Sequence, residues 1–120
     1  MKTFYITVAI FLSLIFIIFI NFIYINRTAD RLSVLIENAE KSEGAEADIA
    51  ALEEFWKNEQ LKIGLSVSHI IVGKISDSIA SLKSLAESKE TALFFRELSL
   101  LKEEIREMRR LEKFSCDNIL

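Results

Sequence analysis

Chemistry in this 120-residue chain would have to begin at His69, its sole histidine, or at Cys116, its sole cysteine. A zinc site needs several imidazole or thiolate ligands converging on one metal, and no second histidine or cysteine stands near either residue. A nucleophile triad can be drawn on paper from Ser66 or Ser68, His69 and Asp77. Asp77 lies two turns further along the same helical stretch, rotated by about 80° from His69, and cannot hold its imidazole. With three glycines in the whole chain, there is no phosphate-cradling loop. Glu43, Glu46, Asp48, Glu53 and Glu54 form an acidic stretch that reads as a solvated helix face, with loose Ca²⁺ or Mg²⁺ association as its functional alternative. Cys116 cannot form a disulfide within the chain and reads as an inert tail thiol. Asn26-Arg27-Thr28 matches a glycosylation acceptor but lies against the expected membrane surface. The expectation is a protein that is not an enzyme and has no cofactor and no metal.

Residues that could bind a partner are better represented. Asn21 is the strongly polar residue of a long apolar run. Its carboxamide can reach headgroups or its own backbone, or hydrogen-bond a neighbouring membrane helix. Trp56, next to Phe55, suits a bundle core, or an exposed interface anchor. His69 sits beside Leu65, Val72 and Gly73, where a half-buried imidazole could bond across the bundle, or act as a ligand contact or pH-sensitive group. Gly73, without a side chain, would let another helix approach. Arg106, Arg109 and Arg110, with Lys113, share one face near the chain's end. Cations there complement a helix dipole, pair with Glu103, Glu107 and Glu112, or rest on anionic headgroups.

The elements that must position these residues begin with Phe4 to Ile25, FYITVAIFLSLIFIIFINFIYI, which carries no charge. Twenty-two residues rise ~33 Å as a helix, enough to cross a ~30 Å hydrocarbon core. Tyr5 and Tyr24 bracket the run at interfacial spacing. No small-x-small cleavage site follows, so residues 1–26 are expected to remain as a transmembrane signal anchor. Lys2 stands before the span and Arg27 and Arg31 just after it, a near tie by the positive-inside rule. The short N-terminal flank places the N-terminus in the cytoplasm and residues 27–120 outside the cell membrane.

Beyond the anchor, Ile25, Ala29, Leu32, Ile36 and Ala39 recur in steps of four and three. The anchor should therefore continue as one helix to about Lys41, with Ser42-Glu43-Gly44 as the break. A second helix carries Ala45, Ile49, Leu52 and Trp56. A third seam runs Leu61, Leu65, Ser68, Val72, Ile75, Ile79, Leu82 and Ala86, with a turn expected between about Lys62 and Ser66. Ser88 should cap a last helix bearing Phe94, Leu98, Leu101, Ile105 and Met108, widened by Leu93, Phe95 and Leu111. Phe114 to Leu120 reads as a short tail. The expected fold is all-α, with a single transmembrane helix continuing into an antiparallel bundle of about four helices over residues 27–120.

Residues 27–120 hold fourteen Lys and Arg against eighteen Asp and Glu, a net charge of −4. Such a surface repels phosphates, so no nucleic-acid partner is expected. The order of features resembles a family of small single-span membrane proteins of Gram-positive bacteria, catalogued as domain of unknown function 4363. The likeness rests on the bare N-terminal anchor, the Trp56 region, His69 about a dozen residues later, and the closing Asn118-Ile119-Leu120. It implies a bacterial cell-membrane protein without known catalysis, whose genes can neighbour another uncharacterised integral membrane family. Long apolar stripes on a tethered bundle suggest an interaction module binding the lipid bilayer and another membrane or envelope protein; self-association would use the same stripes. The alternatives are a cell-division or phage-lysis coiled-coil component, or an extracytoplasmic ligand-sensing bundle acting through a partner.

Overall fold

With no proline or glycine before Gly44, nothing interrupts helical hydrogen bonding over the first forty residues. In the computed structural model, which describes residues 1–119, Lys2–Lys41 forms one unbroken helix, α1. The side chains of Ser115, Cys116, Asn118 and Ile119 fall outside that description, as does Leu120. Up to Ile20 α1 is bare, its Phe, Ile, Leu and Val side chains almost all exposed. Its most apolar stretch has the length and composition to cross a membrane, and none of it is buried within the protein. Thr7 and Ser13 donate their hydroxyls to the carbonyls of Thr3 and Ala9, both at 2.8 Å. Those side chains are thereby satisfied within the helix itself. From Asn21 onward one face of α1 becomes covered, and Ile25, Ala29, Leu32, Ile36 and Ala39 are completely buried. Packing thus begins inside the segment assigned to the anchor.

Three more helices complete the chain: α2 (Glu46–Gly64), α3 (His69–Glu87) and α4 (Thr91–Ile119). Two of the three connections end in the same device. After α1, Glu43 N–H bonds to Glu40 C=O and Gly44 N–H to Ala39 C=O. After α3, Lys89 N–H bonds to Ala86 C=O and Glu90 N–H to Leu85 C=O. This is the Schellman pairing, which takes a left-handed residue just past the helix. Glu43 (φ 56°) and Lys89 (φ 58°) occupy that position, and Gly44 (φ 84°) continues the turn. Ser88 therefore closes α3, its hydroxyl donating to Leu85 C=O, instead of capping α4. The end of the chain departs from expectation as well: α4 continues through residues 114–119, where a tail was expected.

The helices pack α1–α2, α2–α3, α3–α4 and α4–α1, a four-cornered antiparallel bundle without diagonal contacts among the described residues. Its core is Ile25 to Ala39 of α1, Ile49, Leu52, Trp56 and Ile63 of α2, Ile71, Ile75, Ile79 and Leu82 of α3, and Phe94, Leu98, Leu101, Ile105 and Met108 of α4. The bare part of α1 projects from one end, giving an elongated molecule of 68 × 22 × 21 Å.

The early part of the third seam is corrected. Leu61, Leu65 and Ser68 are exposed, while Ile63, Val67 and Ile71 are buried. The turn lies at Leu65–Ser68, so α2 stays helical through Gly64 and keeps the phase set by Ile49, Leu52 and Trp56. That phase points Ile63 inward and Leu61 outward. Leu93 and Leu111, expected to widen the α4 seam, are also substantially exposed.

Candidate interaction surface

Asn21 uses its carboxamide inside the protein. Ser66, in the α2–α3 turn, donates to Asn21 Oδ1 at 2.7 Å, so the turn lies level with the residue at which α1 ceases to be bare. One turn higher, the Tyr24 hydroxyl donates to Glu59 of α2. The ring is half-buried against the core instead of facing outward as an interfacial aromatic.

Trp56 is core, 3% exposed. Its indole N–H donates to Ser76 Oγ at 2.7 Å, and Ser76 in turn donates to Gln60 Oε1 at 3.2 Å. An indole is thus buried without losing its polar partner. Phe55 packs half-buried against the same core. The half-buried, cross-bonded imidazole expected at His69 is not found. Ser68 caps α3, its hydroxyl accepting from Ile70 N–H at 3.2 Å, and His69 is the first, exposed residue of that helix. The bundle core begins two residues later at Ile71. A Cβ at Gly73 would meet nothing within 4 Å, so no helix is drawn close there.

The arginines do not form one free basic face. Arg109 turns toward α1 and donates to Asp30 at 2.6 Å, and Arg106 pairs with Glu103 of its own helix. Arg110 is exposed. Lys102 reaches Glu40 on the α1 side. Together Lys102–Glu40 and Arg109–Asp30 set an antiparallel register that brings the last turn of α4 to about the level of Asn21.

In the acidic stretch Glu53 pairs with Lys83 at 3.5 Å. Among the described residues no group of three His, Cys, Asp or Glu side chains is placed to hold a metal ion. The expected tail thiol, Cys116, has its side chain outside the described residues.

Two features escaped the sequence reading. Glu104 is buried, both carboxylate oxygens within 3.0 Å of Ser78 Oγ. Burial raises its pKa above the ordinary value, and nearby Glu97 and Asp77 add to the rise; the Ser78 hydrogen bond and Lys74 oppose it. The heptad pattern gives no hint, because Glu104 lies beside the stripe. Second, α4 carries another apolar stripe. Leu93, Leu100, Leu111 and Phe114 are all exposed, and the upper two border a groove with Leu85 of α3, Arg96, Glu97 and Glu103. The spacing of seven between Leu93 and Leu100 was a legible signal for it.

No curated protein and no solved structure matches the chain. One family model does, under the description "Domain of unknown function (DUF4363)", covering residues 19–119. That span takes in the whole packed bundle and begins where α1 stops being bare, and the chain belongs to this family.

Proposed function

We propose that this protein is a membrane-tethered helical interaction module. Its α1 spans the cell membrane with the N-terminus in the cytoplasm, and the bundle outside presents a groove to a helix of another membrane or envelope protein. The observation that carries this reading is the second apolar stripe of α4. The first stripe, Phe94 to Met108, is consumed by the core. Leu93 and Leu100 remain exposed at heptad spacing beside Leu85, flanked by Arg96, Glu97 and Glu103. An apolar line with charged margins is the form an amphipathic helix recognises when it lies in a groove. The chain folding back three times makes this a compact docking body on a stalk and disfavours an extended parallel rod.

Photo-crosslinking from position 97 in the native host tests it. A discrete adduct with a second protein is expected, abolished by the double substitution Leu93→Gln with Leu100→Gln. Both side chains are exposed, so that double variant should stay within about 1 kcal/mol of the parent in stability. Absence of any adduct, or an adduct indifferent to the two substitutions, contradicts the reading. An adduct composed of two copies of this chain identifies the partner helix as its own.

A further inference from the structure

Beyond residue 23, the three most exposed large apolar side chains among the described residues are Leu65, Leu61 and Ile70, at 89, 80 and 70%. All three belong to one place, the α2–α3 tip. The connections at the opposite end of the bundle are built differently. Ser42-Glu43-Gly44 and Ser88-Lys89-Glu90 are polar, as water-facing turns require. The α2–α3 turn, Leu65-Ser66-Val67-Ser68, buries Val67 in the core yet bares Leu65, with Leu61 and Ile70 bared beside it, the pattern of a turn that faces something apolar.

Its position says what that is. The Ser66–Asn21 hydrogen bond of 2.7 Å fixes the tip against α1 at the lower limit of the bundle. A ~30 Å hydrocarbon core takes up about twenty helical residues. Counted from Thr3, just past the charge of Lys2, the far boundary falls at about Phe22, one residue beyond Asn21. A tilt near 20° moves it only one or two residues further into the bundle. Arg27, the first charge on the bundle side, stands about 9 Å above Asn21 along the helix, which is headgroup depth. Lys62, exposed next to Leu61, lies within about a turn of Asn21's level, and its long side chain can reach up to the headgroups.

We propose that the α2–α3 tip is a second membrane contact: Leu61, Leu65 and Ile70 sink to the hydrocarbon edge beside the spanning helix, while Lys62 and Arg27 meet the lipid headgroups. This rests on α1 spanning the bilayer. The bundle is then held at the membrane by its α2–α3 tip as well as by α1, instead of swinging on a single stalk. A helix tip entering the boundary by its aliphatic side chains, with cations at the rim, follows the energetics of interfacial insertion. Because α2 packs directly on α1, and α3 on α2 and α4, the tip's depth is set by the fold.

Depth measurement by spin labelling tests the inference on the full chain, reconstituted as one copy per lipid nanodisc so that no second copy can cover the tip. In a Cys116→Ser background, single cysteines replace Phe11, Leu65 or Glu90; each side chain is exposed, so the label does not disturb packing. The label at 11 should collide with oxygen and be shielded from a water-soluble nickel complex, and the label at 90 should behave oppositely. The inference predicts that the label at 65, at the hydrocarbon edge, lies between these two: its nickel collisions fall strongly below those at position 90 and its oxygen collisions rise above them. A label at 65 as open to nickel as that at 90, with 11 still shielded, overturns the tip contact and leaves the spanning helix standing. Nickel access at 11 overturns both.

Discussion

Glu104 shows how a single buried side chain can tie this bundle to pH. Burial raises its pKa, so in the folded state it holds its proton to a higher pH than in the unfolded chain. The proton count is then greater in the folded state, and stability declines as pH rises from the ordinary carboxylate range through the folded value. Glu104→Gln keeps a partner for Ser78 and removes the ionisable group. The variant should unfold at higher denaturant concentration than the parent at pH 7–8, and the gap should close below about pH 4, where a carboxyl is neutral in both states. Chemical unfolding of the two proteins across pH checks this, and a pH-independent gap would contradict it. The left-handed residues give a second outcome at this scale. A side chain at Lys89 (φ 58°) costs roughly 1 kcal/mol relative to glycine. Lys89→Gly should therefore stabilise the bundle by about that amount. Gly44→Ala should do the reverse, because its Cβ would sit 3.0 Å from the Phe94 ring at φ 84°.

Among the elements, α1 and the inner face of α4 were legible residue by residue. Each keeps a single phase over several turns, and every expected seam residue from Ile25 to Ala39 and from Phe94 to Met108 is buried. The stretch from Leu61 to Val72 was not legible, because both phases there are aliphatic. Leu61 and Leu65 continue one pattern and Ile63 and Val67 another, and sequence spacing alone cannot tell core from exposed tip. Ser88 misled for a related reason: a serine between two helices can close the first or open the second. Of the candidate site residues, Trp56 found its core, Asn21 found a partner in its own chain, and His69 was displaced outward by the later turn. Two measurements belong here. Ile79→Asp places an unpaired charge in the α3 seam, where the wild-type side chain is 3% exposed. It should cost about 3–5 kcal/mol of stability, or unfold the bundle altogether. Arg109→Gln breaks only a partly exposed pair with Asp30 and should cost under about 1 kcal/mol. A large loss there would show that α4 is held to α1 mainly by charge.

At the scale of the whole molecule, two structures share one chain: a bare apolar segment, whose stability would come from lipid, and a bundle whose stability comes from its own core. The all-helical class and the count of four helices followed from periodicity and from breaks at Gly44, the Gly64 region and Ser88-Lys89-Glu90. The boundary between the bare segment and the bundle did not follow, because packing begins at Asn21, inside the apolar run assigned to the anchor. Hydrogen exchange of the full chain in lipid nanodiscs, followed through increasing denaturant, separates them directly. The account predicts that amides of the core, around Ile75 and Leu98, open together in one cooperative step, while those of residues 4–20 stay protected beyond it. If residues 4–20 exchange early, or open in the same step as the bundle, α1 is not held by the bilayer and the account of a membrane-tethered module is wrong.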